Sequence, residues 1–80
     1  MGQVDKTTEP IIEWFRNQGF RIVYVSSAVC LLAHTDLPGL EARIGTVYSV
    51  VERDGVEIFR TQHRDFDPEH AHDRIFGGKP

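Results

Sequence analysis

Residues 47–63 run Val-Tyr-Ser-Val-Val-Glu-Arg-Asp-Gly-Val-Glu-Ile-Phe-Arg-Thr-Gln-His, and this stretch constrains the fold more than any other. Two runs rich in β-branched and aromatic residues flank Glu52-Arg53-Asp54-Gly55, a turn signal, so the stretch reads as a β-hairpin. Its apolar residues fall at both odd and even positions. Successive side chains point to opposite faces of a strand, so this hairpin carries apolar groups on both faces of its sheet. One sheet turns only one face to a single core, and the other face needs a cover or a partner.

Two registers compete for the hairpin. A two-residue Asp54-Gly55 loop sets Glu52 opposite Glu57, where like charges repel. A four-residue turn over 52–55, with Gly55 in the left-handed bulge position, pairs Glu52 with Val56, Val50 with Ile58 and Ser49 with Phe59. The second register avoids the repulsion and is the one expected. It places Tyr48, Val50 and Ile58 on the core face, and Val47, Val51 and Phe59 on the face left over.

Upstream, Thr7 or Thr8 is a helix cap and Pro10 suits a first turn, where its missing N–H costs nothing. Ile11, Trp14, Phe15 and Gln18 follow at helical spacing, and Gly19 supplies a left-handed stop, so a helix is predicted over residues 9–18. Residues 20–26 and 29–34 read as strands; the second is apolar on both faces and so belongs inside the sheet. Thr35-Asp36-Leu37-Pro38-Gly39 is a turn. Residues 40–51 read as one long third strand, with Gly45 marking a bulge or bend. Asp67-Pro68 and Gly77 bracket a short C-terminal helix that needs docking to persist. Residues 1–6 and 77–80 are expected to be loose ends.

The fold class predicted is α+β: a single domain over residues 1–80, with an N-terminal helix on a four-stranded, mostly antiparallel sheet. The core expected is Ile11, Trp14, Phe15, Phe20, Ile22, Tyr24, Leu31, Ile44, Tyr48, Val50 and Ile58. Eighty residues with 40% apolar content are enough for one small core. Nine Lys plus Arg and a net charge of −3 argue against a general nucleic-acid binder. The one cysteine, Cys30, sits in an apolar run, which favours a buried thiol and a reducing, cytoplasmic home. No apolar run is long enough to span a membrane, and none at the N-terminus reads as a signal peptide.

His63, Asp65, Asp67, His70, His72 and Asp73 lie within eleven positions, and these are metal-ligand residue types. On a helix, however, His70 and His72 lie about 200° apart and cannot clasp one ion; only an extended segment puts them on one face. A solvated surface is the reading preferred. His34 ends an apolar strand and reads as a partly buried histidine bonded to backbone. No Ser-His-Asp, Cys-His or phosphate-loop pattern is present, so no catalytic residue, metal or cofactor is assigned.

Asn17-Gln18-Gly19-Phe20, between a short helix and two strands, resembles the Gly-aromatic step of the HicA messenger-RNA interferase toxins. That resemblance implies an RNA-binding, toxin-like domain. The family's catalytic histidine belongs at the start of the second strand, where this chain has Ser27-Ala28-Val29, so the chemistry does not carry over. The function expected is a non-enzymatic protein-interaction module that acts on another protein or on a second copy of itself through Val47, Val51, Phe59 and Phe66. Its size and composition suit a small inhibitor or adaptor of bacterial or phage origin. The alternatives are a metal- or histidine-dependent enzyme centred on His63, His70 and His72, or a degenerate RNA-binding domain.

Overall fold

A computed structural model of the chain describes residues 8–77. The chain runs α1 (Glu9–Asn17), β1 (Phe20–Val25), β2 (Cys30–His34), β3 (Leu40–Ile44), β4 (Tyr48–Arg53), β5 (Val56–Gln62), a 3₁₀ turn (His63–Asp65) and α2 (Pro68–Phe76). The class is α+β as expected, with the C-terminal helix present. The expected loose ends at 1–6 and 78–80 lie outside the described residues.

The five strands form one antiparallel meander in the order β1-β2-β3-β4-β5, not a four-stranded sheet. The extra strand comes from the stretch read as one long strand over 40–51. The chain reverses there: the Gly45 N–H donates to the Tyr48 carbonyl at 2.9 Å, and Ile44 pairs with Ser49. This four-residue reversal changes which parity faces the core. Leu40, Ala42 and Ile44 point inward before it, and Ser49 and Val51 after it. A one-residue change of parity moves every following side chain to the other face. Two corrections follow. Val51 and Phe59, assigned to the leftover face, are cross-strand partners in the core, 0% and 6% exposed. Tyr48, assigned to the core, is exposed.

The β4–β5 register is also the one rejected on charge grounds. Asp54 and Gly55 both have positive φ (55° and 86°), the backbone of a two-residue hairpin turn. Arg53 then pairs with Val56, and Glu52 faces Glu57. A register shift near Ile58 restores the Val51–Phe59 pairing. Arg60 offsets the carboxylate repulsion by donating two hydrogen bonds to Glu57, at 2.9 and 3.1 Å.

Both helices lie on the inward face. Ile11, Ile12 and Phe15 of α1 and Ala71 and Ile75 of α2 join Phe20, Cys30, Leu32 and Leu40 in one core. Trp14 and Phe66 meet edge to face at 5.4 Å, which ties α1 to the segment before α2. Asp67 caps α2 by accepting from the Glu69 N–H at 3.1 Å, and Gly77 ends it in the left-handed conformation. Thr8 occupies the N-cap of α1, but its hydroxyl does not bond the first turn, and the residue is buried. Of the remaining residues expected in the core, Ile22 and Tyr24 are exposed and Leu31 is half-buried. A shift in the β1–β2 pairing between Ile22 and Tyr24 turns Tyr24 to the open face opposite Leu31.

Candidate interaction surface

The residues expected to form an interface do not come together. Val51 and Phe59 are under the helices, and Phe66 is half-buried against Trp14 and Phe15. Val47 alone stays exposed, in the β3–β4 connection. The histidines are likewise dispersed. His70 packs against Phe59 and His72 against Phe76, and α2 is helical, so the two point to different sides. Among the described residues no group of three His, Cys, Asp or Glu side chains is placed to hold a metal ion.

Two histidines serve as internal clasps. Nδ1 of His34 accepts from the Asp36 and Leu37 N–H groups at 3.1 and 3.2 Å, so Nε2 carries the proton and donates to the Gln18 carbonyl at 2.8 Å. This one ring joins the end of α1 to the β2–β3 turn. Ser49 Oγ and His63 Nε2 share a hydrogen bond of 2.9 Å, a pairing with the outline of a nucleophile and its base. Ser49 is fully buried, however, so no substrate reaches its hydroxyl. Cys30 is also buried, and burial pushes its thiol up, against the lowering influence of Arg16. That is the reverse of an activated cysteine.

The open face of the sheet is organised in rows. Glu41, Glu52 and Glu57 are cross-strand neighbours on β3, β4 and β5. The adjacent row holds Arg43, Val50 and Arg60. The Arg60 guanidinium lies over the Tyr48 ring, 5.0 Å from its centre. Its hydrogen bonds hold the Glu57 carboxyl below the usual range, and burial opposes this weakly. A shallow hollow of about 280 Å³ lies between the rows, lined by Val23, Leu31, Arg43, Val50 and Glu52 among others. The three carboxylates thus lie beside a row that carries two guanidinium groups, and the face is of mixed charge.

The two sheet edges contrast sharply. The β5 edge is guarded by Glu57 and Arg60 and by the 3₁₀ turn that follows it, while a register shift is common to both edge strands. These are the usual protections against edge-to-edge association. The β1 edge has no comparable charge along most of its length. Ile22, Val23, Tyr24 and Val25 are 41%, 50%, 55% and 51% exposed, four consecutive large apolar side chains. Among the described residues the β1 strand pairs only with β2. Gly19 and Ser26 bond toward β2, through Thr35 N–H to the Gly19 carbonyl and Ser26 N–H to the Val29 carbonyl. By the alternation of an antiparallel ladder, the backbone groups of Ile22 and Val25 point away from the sheet. Alongside runs a groove between β1 and α1, lined by Glu9, Ile12, Glu13, Arg16, Ile22 and Val25.

Ile22 and Tyr24, expected in the core, instead belong to this exposed edge. Edge position depends on strand order, which no local pattern encodes. A run of apolar residues reads the same whether a strand is central or at the rim. No protein-family model matches this chain, and no curated protein or solved structure matches it.

Proposed function

We propose that this protein is a non-enzymatic interaction module, of the inhibitor or adaptor kind, and that its binding surface is the β1 edge. The supporting observation is the run Ile22-Val23-Tyr24-Val25, apolar and exposed along an edge strand whose outer backbone groups have no strand partner among the described residues. A strand added there gains main-chain hydrogen bonds from the backbone and specificity from alternate side chains. Among the described residues no helix is long and apolar enough to cross a membrane, so the apolar run is not part of a helical span. The chemistry needed for catalysis is poorly served, because the buried Ser49 and Cys30 are closed to substrate.

The reading is tested by photo-crosslinking in the native cell. A benzophenone side chain at Tyr24 is expected to form protein adducts, whereas one at Glu57 on the opposite edge forms few. Equal labelling from both positions, or none from Tyr24, overturns the proposal.

A further inference from the structure

We infer that the β1 edge is occupied by a second copy of this chain, the two β1 strands pairing antiparallel about a two-fold axis near Val23 to make one continuous ten-stranded sheet. This rests on the edge-interaction reading above and names the partner. Charge is what singles out a second copy. In the described residues α1 runs antiparallel to β1, so the groove between them has distinct ends. Glu9, Glu13 and Arg16 border it where Val25 and Cys30 lie. Glu13, Arg16 and Arg21 border it where Phe20 and Ile22 lie. The Glu13–Arg16 ion pair is common to both, so the excess charge is acidic at the Glu9 end and basic at the Arg21 end.

A two-fold axis perpendicular to the sheet reverses the second copy. It sets the basic end of one groove against the acidic end of the other, at both ends at once. A closed two-fold interface requires such self-complementarity. Strands paired across the axis lie about 4.8 Å apart, and helices packed side by side lie about 8–10 Å apart, within reach of Glu and Arg side chains. The surface is also apolar at its centre and charged at its rim. Glu13 and Arg16 already bond at 3.1 Å within one helix while both remain exposed, which leaves their other hydrogen-bonding positions open to a partner. Parallel β1–β1 pairing would instead need a two-fold axis along the strand, which puts the two α1 helices on opposite faces of the joined sheet and their grooves out of contact.

Sedimentation velocity of the full chain reads the outcome. The natural sequence is expected to be dimeric, and Val23→Lys monomeric with an unchanged circular-dichroism spectrum. Should Val23→Lys not fold, Tyr24→Lys serves the same purpose from a side chain on the open face. Arg16→Glu makes the groove predominantly acidic, and Glu13→Arg makes it predominantly basic. Each alone is expected to weaken the dimer by about tenfold. An equal mixture of the two is expected to recover dimer as the mixed species, which loss of helix stability cannot produce. A natural sequence that stays monomeric, a dimer that survives in the folded Lys variants, or a mixture no tighter than its components overturns the second copy as occupant. Crosslinks from Tyr24 to a different protein would then leave the interaction reading standing, while their absence would remove both.

Discussion

Gly19 is the residue where local geometry and packing demand the same thing. Its φ of +102° is one that side chains rarely adopt, and a Cβ there would meet His34 Nε2 at 2.7 Å. That nitrogen donates to the Gln18 carbonyl, so a methyl group would disturb the clasp joining α1 to the β2–β3 turn. Gly19→Ala is expected to cost about 1–3 kcal/mol, read as a lower urea midpoint at unchanged slope. Cys30 shows the opposite kind of residue, chosen for volume and not for chemistry. Because burial raises its thiol, the folded state favours the neutral form. Its contribution to stability is complete below the ordinary thiol value and is lost as pH rises through the raised one. Glu57 has the reverse sign: lowered by Arg60, it contributes above the ordinary carboxylate value and loses that contribution as pH falls through the lowered one.

At the scale of elements, α2 is the piece whose existence depends on the rest. Nine residues make a helix too short to persist alone in water. Its ends carry good signals, with Asp67 and Pro68 at the start and Gly77 at the close. Its persistence comes from Ala71 and Ile75, buried in the same core as Phe59. Arg53 adds a tie by donating to the Ile75 carbonyl at 3.0 Å. Asp67→Ala is expected to cost about 1 kcal/mol and Ile75→Ala about 2–5 kcal/mol, by chemical denaturation. The comparison separates capping from docking; a larger loss for Asp67→Ala would mean that the end signal and not the packing sustains the helix. Both helix positions were legible in the sequence because caps are local. That α2 docks on the same face as α1 was not, because that depends on the parity of β4 and the register of β5.

At the scale of the whole molecule, the unequal edges decide the behaviour. A meander always ends in two edge strands, and here one is charged while the other is apolar. An 80-residue chain has a thin margin of stability, so burying that edge matters to the fold as well as to recognition. If two copies pair through β1, unfolding becomes linked to association. The thermal midpoint is then expected to rise with protein concentration for the natural sequence and to stay constant for Val23→Lys. A midpoint independent of concentration across a hundredfold range, with dimer present throughout, would mean that pairing adds nothing to stability.

The amino-acid sequence by itself determined what short-range physics can set: the class, both helices, the capping of α2, the turns at Ser26 and Gly39, the place of the β4–β5 turn though not its type, and a sheet with more apolar surface than one core can use. Each depends on residues a few positions apart. Tertiary structure decided which surface was left over. That choice turned on the chain reversal at Gly45, which changed the parity of β4, and on the register shifts in β1 and β5. It turned also on strand order, which put β1 at the rim. In a strand the inward and outward sets differ by a single residue step, so a local pattern that is apolar on both sides is indifferent between them. Only the closing of α1 and α2 over one face removed that indifference, burying Val51 and Phe59 and leaving Val23 and Tyr24 in water.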